Sequence, residues 1–329
     1  MAMDLNNLPS YDRLPVKEGA PERSAWGLFG DDDQLGCLNL ITPEKTAEAA
    51  KLVRKGAVFS LNLRLDRPSP PMHGRGAVEH HLLEGGGGLS RDDYLDGFWP
   101  QASSQWDGFR HIRHPRDGFY NGVKDEEIVP GDEGKLGIEH FARKGIATRG
   151  VLVDVDRFLR QQGAQLNMTS STFITPDQLQ ACMDRQKVGV GPGDILLVRT
   201  GWLRWYLEEA TPEQREKMGG DAGAGAAAGA LVHPGLGPAE EMVSYLWNLH
   251  VAAVAADNPS LDAWPPTPEK GWMHFHLLPL LGIPIGELWD LEALASDCAA
   301  DGVYEFMLTS APLNIPGGVG SPPNALAIK

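Results

Sequence analysis

Cysteine is scarce. Only Cys37, Cys182 and Cys298 occur in 329 residues, far apart and without a CxxC pair, which leaves no disulfide framework and no thiolate zinc knuckle to build on. Long apolar runs are missing too. Stretches such as "LLPLLGIPI" are short and broken by proline, and the N-terminal "MAMDLNNLPSYDRLP" lacks the basic and then apolar regions of an export signal. Basic charge is in deficit, with 29 Lys+Arg against 44 Asp+Glu and a formal net charge of -15. Such a chain repels phosphate backbones and anionic lipid, so nucleic acid and membrane surfaces are poor partners. The expectation is a cytoplasmic protein that works on a small molecule.

Familiar catalytic signatures are absent as well. There is no GxSxG elbow, no GxxxxGK[ST] loop and no HExxH helix, which removes the serine-hydrolase, P-loop and zincin readings. The run "GGGG" at 85–88 does not sit between a buried strand and a helix. It reads as a flexible turn and not as a dinucleotide loop.

What is present is alternation of strand and helix patterns. A helix is expected from Pro43, with Thr42 as its cap and Gly56 beyond its end. "AVFSLNLRL" at 57–65 alternates as a strand does. Residues 66–129, rich in Gly, Pro, His and Asp, read as a long loop region with short strands, and loops of that length inside a domain usually serve function. "RGVLVDV", "GDILLVRTGW" and "VAAVAAD" are continuous apolar runs suited to buried strands. "TPDQLQACMDRQKV" is a second helix with a Thr-Pro start. "GPAEEMVSYLWNLH" carries Met242, Val243, Leu246 and Leu249 on one helical stripe. "HFHLLPLLGIPIGELWDLEAL" reads as a helix broken at Pro279 and then a short strand, and "YEFMLTSAPLNI" as a last strand. The class is α/β. One domain is expected over 1–329, with an N-terminal arm to about residue 25 and a flexible Gly/Ala-rich excursion at 219–230.

Two groups of hard and borderline metal ligands stand out. One is Gln105, Asp107, His111 and His114; the other is His274, His276 and Glu287, followed by Asp290. Imidazole and carboxylate donors can replace the waters that Zn or Mn loses. In an extended segment Gln105 and Asp107 point to one side, and the four-residue step to His111 lets a turn bring the imidazole back over it. Bland readings stand beside these. His114 before Pro115 reads as a loop residue, His276 as a core or interface histidine, His80 and His81 as pocket or strand-edge residues, and Asp107 with His111 as a structural pair or a site.

Taken together, "WGLFGDDDQLGCLNLITPE", "SSQWDGFRH", "GDILLVRTGW", "VAAVAADNPSLD", "HFHLLPLLGIPIGELWDL" and "APLNIPGGVGSPPNALAI" resemble the cyclase family that includes bacterial kynurenine formamidase and isatin hydrolase. The resemblance runs from about Trp26 to the C-terminus. It implies a swivelling β/β/α fold with a mixed β-sheet core and flanking helices, usually in a homodimer or larger homo-oligomer such as a homotetramer. The family's signature is H-x-G-T-H-x-D-x-P-x-H, in which two histidines and the aspartate hold a divalent metal and the last histidine is the general acid/base. This chain keeps Asp107 and His111. Gln101 and Gln105 stand where the metal-binding histidines would be, and Ser103, Ser104 and Phe109 replace Gly, Thr and Pro.

The implied second half-site is a histidine followed about twelve residues later by a glutamate. Glu287 matches it; His274 is favoured as the histidine, with His276 as runner-up. The resemblance thus implies a metal-dependent hydrolase of a cyclic or aryl amide or ester, with Mn or Zn held by Gln105, Asp107, His274 and Glu287 and with His111 as acid/base. Trp26, Phe29, Trp106, Phe109 and Trp202 are candidates to wall a flat substrate, though each alone is by default a core residue. Two alternatives stay open: cyclisation or elimination on the same scaffold, and a metal-free binding protein.

Overall fold

The computed structural model describes residues 7–131, 133–219, 231–267 and 271–329. Nine strands form one mixed sheet. Their order across it is Val58–Ser60, Leu326–Ile328, Glu305–Ser310, Ile146–Asp154, Ile195–Arg199, Ala253–Ala256, Ile285–Glu287, Gln105–Asp107 and Gly320–Ser321. The four strands from Ile146–Asp154 to Ile285–Glu287 run parallel to one another, and the remaining pairings are antiparallel.

Parallel strands need crossover connections, and helices supply them. Val155–Gln161 and Pro176–Gln186 link the first two parallel strands, and Ala239–Asn248 precedes the third. Covered on both faces, Ile195–Arg199 and Ala253–Ala256 are buried along their whole length. That is why their sequences read as unbroken apolar runs. The α/β class and the mixed sheet with flanking helices are what the chain adopts.

Local signals explain several helix starts. Thr42 Oγ1 accepts the Lys45 N–H at 3.2 Å to open Pro43–Ala50, and Thr175 with Gln178 forms a reciprocal capping box on Pro176–Gln186. On Ala239–Asn248, Met242, Val243 and Leu246 are fully buried and Leu249 packs against the core.

Three expectations change in detail. The helix from Pro43 stops at Ala50 and not near Gly56, because Lys55 and Ala57 donate their N–H groups to the Lys329 carbonyl. The strand at 57–65 is only Val58–Ser60, since its partner Leu326–Ile328 has three residues to pair. Within the long loop region, Glu79–Gly85 and Ser90–Asp96 make an exposed hairpin turned by "GGGG", whose Gly86, Gly87 and Gly88 have φ of 59°, 64° and 91°. Side chains disfavour that backbone, so the glycines are required there.

The N-terminal arm packs onto the body of the protein. Tyr11 and Leu14 are buried, the Tyr11 N–H donates to Asn248 Oδ1 and the Trp247 indole donates to the Pro9 carbonyl. The Gly/Ala-rich excursion, beyond Gly219, lies outside the described residues. Among the described residues no helix is long and apolar enough to cross a membrane.

At the end of Ile195–Arg199 a buried ion network ties the parallel strands together. Arg199 gives Nε and Nη2 to Glu292, each at 2.8 Å, and Nη1 to Asp154 and Asp156 at 2.7 and 3.2 Å. Asp154 and Asp156 are buried, and without the guanidinium each keeps only a partly exposed arginine, Arg157 and Arg160, while Glu292 loses both of its bonds to Arg199. Arg199→Met is expected to lower stability by about 3–5 kcal/mol, read from urea unfolding; a change below about 1 kcal/mol would show that the network behaves as a surface ion pair.

Candidate active site

Strand pairing brings the two ligand groups of the sequence together. Gln105–Asp107 runs antiparallel to Ile285–Glu287, with Glu287 opposite Gln105, Gly286 opposite Trp106 and Ile285 opposite Asp107. Directly opposed residues share a face of the sheet, and alternate residues share it along a strand. Gln105, Asp107 and Glu287 therefore emerge on the same side. Trp106 points to the other.

After Asp107 the chain turns. The Gly108 N–H donates to the Val319 carbonyl, and a Cβ there would lie 2.7 Å from that oxygen, so the turn needs glycine. The His111 N–H then closes on the Gly108 carbonyl at 3.0 Å. This returns the imidazole over the strand face, with Nε2 3.8 Å from Asp107 Oδ1. The His111 side chain is 22% exposed while that of Asp107 is fully buried.

His274 enters from the short helix His274–His276, which runs into the turn Leu277–Leu281 around Pro279. Asp262 sets its orientation. One carboxylate oxygen accepts the Met273 N–H at 2.7 Å and the other sits 2.8 Å from His274 Nδ1. With Nδ1 so engaged, Nε2 faces the site, 3.1 Å from Glu287 Oε1 and 3.8 Å from Asp107 Oδ2. Donor atoms of Asp107, His274 and Glu287 all lie within 4.8 Å of one another, and all three residues are buried.

The electrostatics follow from that crowding. Burial pushes the Asp107 carboxyl up, but the neighbouring His111 and His274 outweigh it and hold it below the usual carboxylate range. Burial, and after it the charge of Asp107, push Glu287 up to about 7. Burial opposes charge on His274, yet its contacts with Asp107, Asp262 and Glu287 hold it well above the usual histidine range. For His111 burial wins over Asp107, and the imidazole is pushed down.

A divalent cation fits these residues. Among the described residues neither carboxylate oxygen of Asp107 has a hydrogen-bond partner, although the group is completely buried. A carboxylate in that state is costly unless a cation meets it. One imidazole nitrogen and two carboxylates, with the imidazole fixed from behind by Asp262, make a borderline donor set of the kind that suits Zn or Mn.

Gln105 reaches the cluster through its amide. Its amide nitrogen donates to Glu287 Oε2 at 2.5 Å, and its oxygen faces Arg75 Nη1 at 3.4 Å. An arginine can only donate and a carboxylate can only accept, so this orientation is chemically dictated. Gln105 stands beside Glu287 as its hydrogen-bond donor. Gln101 is half-buried, and its carbonyl accepts from Arg75.

The other expected residues lie elsewhere. His276 faces His114, ring centroids 6.2 Å apart, in a separate surface cleft that Tyr11, Arg23, Asp117 and Glu240 also line. Trp106 is a core residue, its indole N–H on Ser310 Oγ and its ring edge-on to Trp289. Phe109 packs between Tyr120 and Phe141. Trp26 donates to the Pro279 carbonyl, and Phe29 packs against the core. Trp202 is buried, stacked on Tyr206 and 5.8 Å from the His233 ring.

Sequence reasoning missed Asp262, His73, Arg75, Trp264 and Trp272. Trp272 stacks on His274 at 4.7 Å, and Trp264 meets both Trp272, at 6.0 Å, and His73, at 5.7 Å. Burial, with Arg75 and His233 adding to it, pushes His73 down to about 3. These residues come from irregular segments without periodicity. Only the aspartate that ends "NPSLD" had a visible signal, a carboxylate shortly before the two histidines.

Comparison with known proteins places this geometry. The family model described as "Putative cyclase" matches residues 59–263. A crystal structure of a novel cyclase is 36% identical, covers 93% of this chain and 99% of its own, and superposes with a TM-score of 0.79. Isatin hydrolase A from Labrenzia aggregata, bound to benzyl benzoate, is 15% identical over 85% of this chain and 94% of its own, with a TM-score of 0.54. Isatin hydrolase A from Ralstonia solanacearum is 19% identical over 88% and 97%, with a TM-score of 0.53. At those identities the two isatin hydrolases share the fold. No curated protein matches the chain. With most of its length matched by the family model and a relative alike over nearly all of both chains, the chain belongs to the cyclase family.

Proposed function

We propose that the chain is a metal-dependent hydrolase that opens a cyclic or aryl amide or ester. The observation that carries this reading is the buried carboxylate of Asp107, with both oxygens unpartnered, facing His274 and Glu287 on one side and His111 on the other.

Asp107, Glu287 and His274 would hold a divalent ion, Zn or Mn by the donor chemistry. When bound, such an ion supplies Lewis acidity toward a substrate carbonyl and lowers the pKa of water. His111 does the proton work. Pushed below the ordinary histidine range, its imidazole is neutral near pH 7 and can accept a proton from the attacking water at Nε2. The water oxygen joins the carbonyl carbon, the C–N or C–O bond breaks, and His111 returns the proton to the departing nitrogen or oxygen.

Supporting residues keep these groups in place. Asp262 fixes the His274 ring so that Nε2 faces the site, and Gln105 holds Glu287 by its amide N–H. Trp272, stacked on His274, excludes water from one side of the ligand.

His111→Ala is expected to lower kcat by ~10²–10⁴-fold with metal content unchanged by elemental analysis; turnover near that of the parent would remove His111 from the mechanism. Asp107→Ala should lose metal and activity together, and a variant that retains a full equivalent of metal would show that the ion sits elsewhere.

Ion binding should release protons. Without the ion, Glu287 titrates at about 7 and His274 stays protonated to higher pH, whereas a ligand set needs both deprotonated. Affinity therefore weakens as pH falls from 8 to 6. Titrating chelator-stripped protein with Zn in weak buffer should release roughly one to two protons per ion, and binding independent of pH would contradict the ligand assignment.

A further inference from the structure

Arg75 reaches the site from the segment before the Glu79–Gly85 strand. Its Nη1 donates to the Gln101 carbonyl and lies 3.4 Å from Gln105 Oε1, both neutral acceptors. Among the described residues no carboxylate pairs with it, and neither Nε nor Nη2 has a hydrogen-bond partner. Nε and Nη2 form the side of a guanidinium that takes a carboxylate two-pronged. Arg199 uses that same pair on Glu292, at 2.8 Å each. Arg75 thus presents an empty fork one amide group away from Glu287, in a chain where acidic side chains outnumber basic ones.

A run of aromatic rings, two of its three contacts edge-to-face, leads from the segment that carries this fork to the ligand cluster. Trp272 lies on the His274 ring, Trp264 meets Trp272, and His73, two residues from Arg75, meets the Trp264 ring edge-to-face. Among the described residues the buried Trp272 indole N–H has no hydrogen-bond partner. One end of the run is a ligand imidazole and the other is the Arg75 loop.

We propose that Arg75 binds a free carboxylate of the substrate, so that the chain acts on aryl amides or esters whose aromatic ring also carries a carboxylate. The ring packs in the angle between Trp264 and Trp272, the carboxylate sits on Arg75 Nε and Nη2, and the scissile carbonyl lies at Asp107, His274 and Glu287. This substrate class rests on the hydrolase reading above.

The test compares 2-, 3- and 4-formamidobenzoate with the matching formamidobenzamides on the metal-loaded enzyme. Water cleaves the formyl C–N bond in each, giving formate and the aryl amine, so only the carboxylate differs. Parent enzyme is expected to favour at least one acid over its amide by about tenfold or more in kcat/KM. Arg75→Met should abolish that preference, chiefly through KM, and Arg75→Lys, which keeps charge but not the fork, should restore part of it. Equal rates on acids and amides in the parent, or an equal loss on both in Arg75→Met, would overturn the proposal and leave Arg75 as a structural or charge-balancing residue.

If no compound is hydrolysed by protein with a full complement of metal, formamide hydrolysis fails and calorimetry decides the subsite by itself. Benzoate should then bind the parent at least about tenfold more tightly than Arg75→Met of equal metal content, with benzamide showing no such difference. Benzoate binding alike in both proteins would overturn the carboxylate subsite.

Discussion

Three buried carboxylates around one imidazole set the terms for everything near the site. Asp107, Asp262 and Glu287 are almost without solvent contact, and all approach His274. Charges in that position are stable only when each is paired and hydrogen-bonded. Asp262 is satisfied by the Met273 N–H and His274 Nδ1, and Glu287 by His274 Nε2 and the Gln105 amide. Asp107 is left over. Among the described residues the nearby donors go to two carboxylates and leave the third without one, an imbalance that a cation would relieve.

Holding such a cluster requires a rigid frame, and the parallel strands provide it. Arg199 and its acidic partners close one end of Ile195–Arg199, and the next residues, Thr200 and Gly201, donate to the buried Asp257 at the end of Ala253–Ala256. From there Asn258 gives its amide to the carbonyls of Pro234, Leu261 and Asp262, while its own carbonyl takes the Leu288 N–H just after Glu287. Asp262 and Glu287 are thus braced by the same asparagine. The register of Gln105–Asp107 completes the arrangement: a slip of one residue would put Trp106 in the site and Asp107 in the core.

How much of this was legible follows from where each residue sits. Caps and buried strands were readable because Thr-Pro starts and unbroken apolar runs have local causes. Asp107 and Glu287 stood out as carboxylates close in sequence to histidines, and the family pattern that the chain resembles has a place for each. The wall residues were not readable. Trp106 follows Gln105 by one position, so alternation alone sends it into the core, and Phe109 lies beyond a glycine turn that reverses the chain. His73, Arg75, Trp264 and Trp272 converge from irregular segments, and only three-dimensional closure brings them together.

Gln105 is the residue whose meaning changes most. The family's pattern has a metal-binding histidine at that place, and an imidazole bound to an ion through one nitrogen offers only an N–H at the other. It could not accept a hydrogen bond from a guanidinium. A glutamine has both a donor end and an acceptor end, and here the donor holds Glu287 while the acceptor faces Arg75. Compared with the histidine of that pattern, the amide at 105 offers an acceptor that an ion-bound imidazole would not, and the Arg75 guanidinium faces it.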